Sequence, residues 1–107
     1  MKKKSKFNML LLESIDEGLK EIFGETATGI IYNYLKDKYS LKREEISEKL
    51  EVFIEGLEAF FSSSAACVVK KNVLKNFYST FGLQYQNEEG HSFIDHVTKL
   101  RSSEFHI

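Results

Sequence analysis

The sequence contains no proline, no tryptophan and a single cysteine, Cys67, among its 107 residues. Without a second cysteine the chain cannot form an internal disulfide, which is typical of proteins in a reducing compartment. It also lacks an apolar run long enough to cross a bilayer, because the run from Met9 to Leu12 ends at Glu13. We therefore predict a cytoplasmic protein with no membrane segment and no cleavable leader.

The composition is that of one folded domain. Hydrophobic residues make up 42% of the chain and aromatic residues 13%, which excludes disorder, and 107 residues supply enough core for one domain but not for two. The formal net charge is −1, but four lysines precede Phe7, so the remaining body is acidic. We predict a basic flexible tail over residues 1–6 and a single helical domain over residues 7–107.

Apolar residues recur at spacings of three and four, the period of an amphipathic helix. The first helix is predicted from about Ser5 to Gly24, because glycine tolerates the left-handed geometry that often ends a helix. A second helix is predicted from a cap at Thr26 to about Tyr39.

The same spacing continues through the second half of the chain. Residues 42–61 form either one helix or a short turn followed by a longer helix that Ser47 would cap. Ser64 is predicted to cap a fourth helix, and Ser92 with Asp95 has the spacing of a capping box before a short fifth helix. The fold class predicted is therefore all-α, a compact bundle of four main helices plus one or two short helices.

The residues that could take part in catalysis or bind a metal do not form a known catalytic or metal-binding motif. His91 and Asp95 share a helix face, but His96 points away from it, and a metal site needs three or four converging ligands. Cys67 has small apolar neighbours, which predict a buried, inert thiol. We therefore predict no catalytic residue, no metal ligand and no cofactor.

Two surfaces are more apolar than a monomer of this size requires. The start of the first helix is apolar almost all round, and Gly56 lies with small residues beside the main stripe of its helix. Such residues either pack within a monomer or form the contact of a dimer. Of these alternatives we predict a homodimer. The predicted partner-binding residues are Met9, Leu10, Leu12, Val52, Gly56 and Ala59. Gly18, within the core stripe of the first helix, is predicted to permit close approach of another backbone.

Consecutive helices carry opposite charge, since residues 44–58 are rich in glutamate and residues 70–75 in lysine. The two helices either flank each other in an antiparallel pair or present complementary patches to a partner. An alternative function is nucleic-acid binding by the tail and the fourth helix. The lysines available for it are Lys2, Lys3, Lys4, Lys70, Lys71 and Lys75.

Three segments resemble a small archaeal family of helical domains of unknown function, some of which are described as signalling output domains. They are LLESIDEGLKEIFGETATGIIYNYLKDKYSLKREEI (11–46), KKNVLKNFYSTFGLQY (70–85) and HSFIDHVTKL (91–100). In that family a proline-bearing stretch follows, whereas this chain has Ser47 and Leu50 there and no proline. The resemblance implies a helical fold and no catalytic residues. We predict a non-catalytic protein-interaction or signalling module.

Overall fold

A computed structural model describes residues 5–86 and 90–105, except for the side chains of residues 103–105. Within these ranges the chain forms four α-helices and one 3₁₀ helix and contains no strand, which confirms the predicted all-α bundle. The elements in chain order are α1 (Lys6–Tyr39), the 3₁₀ helix (Arg43–Glu48), α2 (Leu50–Phe60), α3 (Ser63–Thr80) and α4 (Phe93–Phe105).

Helix α1 is bent sharply at Gly24, which separates an N-terminal arm (6–23) from a C-terminal arm (25–39). Gly24 has φ 85° and ψ 171°, a conformation that is essentially confined to glycine. Asp16 and Tyr32 lie eight residues on either side of it and would be about 24 Å apart along a straight helix. The Tyr32 hydroxyl nevertheless donates a hydrogen bond to Asp16 Oδ1 at 3.0 Å. The arms therefore fold back on each other, and the predicted break at Gly24 is confirmed.

The ends of α1 follow from local hydrogen bonding. The Ser5 hydroxyl accepts a hydrogen bond from the Asn8 backbone N–H at 3.1 Å, so the helix starts where predicted. The predicted cap at Thr26 is wrong, because the helix resumes directly after Gly24 and Thr26 already has helical geometry. The helix ends at Tyr39, as predicted.

The predicted tail falls almost entirely outside the described residues, since residues 1–4 are not among them. Ser5 is the N-cap of α1 and Lys6 is its first residue. The helix thus begins one residue before the predicted start of the domain.

Residues 42–61 form two elements rather than one. In the 3₁₀ helix the Glu45 carboxylate accepts a hydrogen bond from the Lys42 backbone N–H at 3.0 Å, and α2 begins after Lys49. Ser47 does not cap α2. It is only 3% exposed, and its hydroxyl has no hydrogen-bond partner within the described part of the chain. Of the two predicted alternatives, the structure therefore shows the short turn followed by a longer helix. The N-cap residue of that helix is Lys49 rather than Ser47.

The starts of α3 and α4 are both fixed by serine caps. Ser62, and not Ser64 as predicted, caps α3, since its hydroxyl accepts a hydrogen bond from the Ala65 N–H at 3.2 Å. The predicted capping box of Ser92 and Asp95 is confirmed, with reciprocal hydrogen bonds of 3.0 and 3.1 Å. The bond from the Ser92 backbone holds the pKa of Asp95 below its ordinary value.

The core lies chiefly between α1 and α3, which approach each other closely at Gly18. A Cβ atom on Gly18 would lie 2.8 Å from Val73 Cγ2 and 3.1 Å from Val73 Cα, so the predicted close approach is confirmed. The Asn72 side chain donates a hydrogen bond to the Gly18 carbonyl at 3.1 Å. The radius of gyration, 13.4 Å, matches the value of about 13 Å for a compact chain of this length. Fully buried core residues include Leu11, Ile15, Leu19, Leu35, Phe53, Val73 and Phe77.

No helix in the described ranges combines the length and the apolar character that a membrane span requires.

Candidate interaction surfaces

The apolar start of α1 contributes less free surface than the sequence suggests. Met9 is 52% exposed and Leu10 is half-buried, but Leu12 is only 5% exposed and belongs to the core. Leu12 is therefore corrected from a predicted partner-binding residue to a core residue.

The predicted surface on α2 is largely a contact within the monomer. A Cβ atom on Gly56 would collide with Leu35 Cδ2 and lie 3.4 Å from the Tyr39 ring, so Gly56 permits α2 to pack on the C-terminal arm of α1. Val52 is half-buried in the same region, and Ala59 alone remains exposed. Gly56 is thus corrected to an intramolecular packing residue.

A continuous row of aromatic rings covers the place where α2 meets α1. The Phe23 and Phe61 rings stack at 5.0 Å between centroids, Phe61 contacts Phe60 at 4.8 Å, and Phe60 contacts Tyr34 at 4.7 Å. Tyr34 in turn lies 6.0 Å from Tyr39. Phe60 is 39% exposed and the others are partly buried. We call these five residues the aromatic surface.

The aromatic surface extends to an exposed aliphatic side chain. Ile30 is 55% exposed and lies one helical turn before Tyr34, so the two side chains are neighbours on the C-terminal arm. Ile30 recurs with Ala27 and Tyr34 at helical spacing, which predicts a core residue, so helical periodicity alone does not reveal this surface. Its only sequence signal is the surplus of aromatic residues at the end of α2, which the fold brings against α1.

Charges of both signs occur on the helices that carry the aromatic surface. Lys38 occupies the last turn of α1 and lies one helical turn after Tyr34. Glu55 lies near enough to Tyr39 that its charge adds to the upward shift of the Tyr39 pKa, which is caused mainly by desolvation. One basic and one acidic side chain therefore lie close to the aromatic surface.

The lysines proposed for nucleic acid differ in their surroundings. Lys70 Nζ lies 3.2 Å from Glu58 Oε2, so α2 and α3 are joined by an ion pair, as the antiparallel-pair interpretation predicts. Lys71 and Lys75 are exposed and one turn apart on α3. The remaining predicted contacts, Lys2, Lys3 and Lys4, lie outside the described residues.

An acidic node joins three elements on another side of the molecule. Asp16 accepts hydrogen bonds from Tyr32 and from Lys20 at 3.0 Å each, and Arg43 Nε lies 3.8 Å away. Partial desolvation is the largest single influence on the Asp16 pKa and raises it. The hydrogen bonds and the two positive charges together outweigh that effect and hold the pKa of Asp16 below its ordinary value. The node links both arms of α1 to the 3₁₀ helix.

His91, His96 and Cys67 meet between α3 and the start of α4. His96 is 2% exposed, and its Nδ1 lies 2.7 Å from the Tyr78 hydroxyl, while the His91 ring lies 5.8 Å from the His96 ring. Cys67 is exposed, so its predicted burial is wrong. The buried stripe of α3 includes Ala66 and Val69 but leaves Cys67 outside it. No group of three potential metal ligands converges among the residues that the structure describes.

Comparison with known proteins finds no matching protein family and no curated protein or solved structure with significant similarity to the chain. The resemblance to the archaeal family therefore stays a prediction.

Proposed function

We propose that the protein is a non-catalytic interaction module of the signalling type that acts as a homodimer through its aromatic surface. The observation that supports this proposal is that the five rings are contiguous with the exposed Ile30. One of the five, Phe60, is itself exposed. Contiguous exposed apolar areas are uncommon on monomers and mark interaction sites, and aromatic residues are enriched in the cores of interfaces.

Charge favours a second copy of the chain as the partner. In a two-fold symmetric dimer each surface meets itself, so a self-complementary surface needs both signs of charge around its apolar centre. Lys38, one helical turn after Tyr34, and Glu55, whose charge acts on Tyr39, supply both signs. The basic edge of one copy then faces the acidic edge of the other, which fixes the orientation of the pair.

Sedimentation analysis at micromolar concentration tests the proposal. We expect a species of twice the 12.4 kDa chain mass. Phe60→Lys places a charge at the centre of the surface and should raise the dimer dissociation constant by about 30-fold or more, the loss typical of a central hot spot. Val68→Lys is the matched control, because Val68 is 57% exposed on α3 and lies outside the aromatic surface.

Two results would reject a homodimer that forms through the aromatic surface. The first is a 12.4 kDa species alone at every concentration. The second is equal dissociation by Phe60→Lys and Val68→Lys, since a specific surface discriminates between them. Circular dichroism of each variant establishes that the helices are retained.

Nucleic-acid binding is the second candidate, and the exposed pair Lys71 and Lys75 favours it. Acidic neighbours oppose it, because Lys70 is paired with Glu58 and the charge of Lys75 acts on Glu21. Binding of this kind weakens steeply as salt increases, and removing one phosphate-contacting lysine reduces the salt slope by about 1. Absence of binding to single-stranded and duplex nucleic acid at low salt eliminates this candidate.

A further inference from the structure

A cleft of about 130 Å³ opens between α3 and the start of α4. It shares no lining residue with the aromatic surface. The ionisable side chains that line it are Cys67, Lys70, Lys71, Tyr85, His91 and His96.

The described residues that line this cleft carry charge of one sign only. Of the described residues that line it, none carries a carboxylate, although the chain contains 16 acidic residues. The Lys70 ammonium is already engaged by Glu58 at 3.2 Å. Within the described ranges, no carboxylate lies within ion-pair distance of Lys71, which leaves its three N–H donors available to a ligand.

The inner wall of the cleft is held by ring packing. The Tyr85 ring lies 5.2 Å from the His96 ring and 5.5 Å from the Tyr78 ring, and the Tyr78 hydroxyl lies 2.7 Å from His96 Nδ1. His91 is exposed at the rim, 5.8 Å from His96 between ring centroids. An imidazole offers at least one N–H donor in either protonation state. The cleft thus combines a packed aromatic wall with exposed donors at its edge.

We propose that this cleft binds a small tetrahedral oxyanion, either inorganic phosphate or the phosphate group of a small monoester, through Lys71 and His91. Ammonium and imidazole donors form strong, charge-assisted hydrogen bonds with phosphate oxygens. The backbone N–H groups of Ser92 and Asp95 are engaged in the capping box, and the proposal therefore rests on the side chains of Lys71 and His91. The volume suits such a ligand, since a cavity of about 150 Å³ holds one benzene molecule.

The only cysteine of the chain reports directly on occupancy, because Cys67 is exposed and lines the cleft. Alkylation of Cys67 by iodoacetamide, an uncharged reagent, is followed while inorganic phosphate is added. We expect the rate to fall and then reach a plateau, with matching shifts of the His91 and His96 ring signals in NMR spectra. Sodium chloride at equal ionic strength is the reference and should have no such effect.

Two variants on α3 distinguish a specific phosphate-binding site from a general effect of positive charge. Lys71→Gln should raise the dissociation constant for phosphate by about tenfold, the effect of losing one charge-assisted hydrogen bond. Lys75→Gln makes the same charge change one turn away, outside the cleft, and should alter the constant less than about twofold. Equal effects of the two variants, equal protection by chloride or the absence of saturation would each overturn the proposal.

A comparison of ligands identifies the source of the phosphate group. Tighter binding of glycerol phosphate than of inorganic phosphate indicates a small monoester, and equal or weaker binding indicates the free ion; either result supports the site. Phe60→Lys should bind phosphate normally, because Phe60 does not line the cleft. Failure of the homodimer and failure of the anion site are thereby distinguished.

Discussion

The Tyr78 hydroxyl and Nδ1 of His96 lie 2.7 Å apart in the buried contact between α3 and α4. Tyr78 is 7% exposed and His96 is 2% exposed, so neither group can readily exchange this hydrogen bond for one with bulk water. A buried polar group that loses its partner retains the full cost of desolvation. The pair therefore links α4 to the rest of the fold by a specific polar contact.

Tyr78→Phe should lower the free energy of unfolding by about 1–3 kcal/mol, because it removes the hydroxyl and leaves the imidazole in place. Urea denaturation measures the loss. The same substitution in a His96→Leu background should cost less, with a coupling energy of about 0.5–3 kcal/mol. Strict additivity of the two substitutions would show that the hydrogen bond does not stabilise the contact.

Gly18→Ala should destabilise the protein by about 1–3 kcal/mol, the usual cost of overpacking. The new methyl group would meet the backbone of Val73 as well as its side chain, so a change of rotamer cannot relieve the contact. Gly29→Ala is the matched control. Gly29 is an exposed helical residue with open space at its Cβ position, and the substitution should stabilise the protein by about 0.5–1 kcal/mol. Effects of the same sign in urea denaturation would contradict the assigned helix contact.

Gly24→Ala should cost about 1–3 kcal/mol, because φ 85° with ψ 171° is strained for an L side chain. No atom lies within 4 Å of the position of a Cβ atom, so the cost comes from the backbone alone. A semisynthetic protein with D-alanine at this position distinguishes backbone strain from a steric clash of the added methyl group. D-alanine favours the mirror-image backbone angles and should restore the thermal midpoint, whereas a steric cause would leave it low.

Asp16 should make the protein more stable near neutral pH than in acid. Its pKa is lower in the folded state than its ordinary value of 3.8, so its contribution is fully present above about pH 4 and is lost as the pH falls through the folded-state pKa. Asp16→Asn should cost about 1–2 kcal/mol at pH 7. The difference from the wild-type protein should shrink towards pH 2.

The control for Asp16 is Glu17→Gln, which removes one negative charge from the adjacent exposed position. Urea denaturation at several pH values compares the three proteins. Parallel curves for wild-type protein and Asp16→Asn from pH 7 to pH 2 would contradict a depressed pKa. A similar loss in Glu17→Gln would indicate net charge rather than the node with Tyr32 and Lys20 as the cause.

Features that depend on residues close in sequence were predictable. The start of α1 at about Ser5, the break at Gly24 and the capping box of Ser92 and Asp95 each involve groups within about one helical turn. Ser64 shows the limit of such reasoning, because three consecutive serines offer equivalent hydroxyls and the observed cap is Ser62. Only the Ser62 hydroxyl lies where it can accept the hydrogen bond from the Ala65 N–H.

Exposure was less predictable than helix position. The sequence of α3 is apolar around most of its circumference, which is typical of a central helix, yet Val68 is 57% exposed and Cys67 is exposed beside it. A helix buries only the stripe that its neighbours cover. The same reason explains why Leu12 and Gly56 lie inside the monomer, whereas Ile30 lies on its surface.

The amino-acid sequence by itself determined an all-α fold, the sharp break in α1 and most helix ends, because helical periodicity and capping are local properties. Only the tertiary structure placed Tyr32 against Asp16, assembled the aromatic surface and gathered Lys71, His91 and Cys67 around one cleft. These contacts join residues far apart along the chain. Their geometry depends on how the helices cross, which is set by packing of the whole core rather than by any one segment.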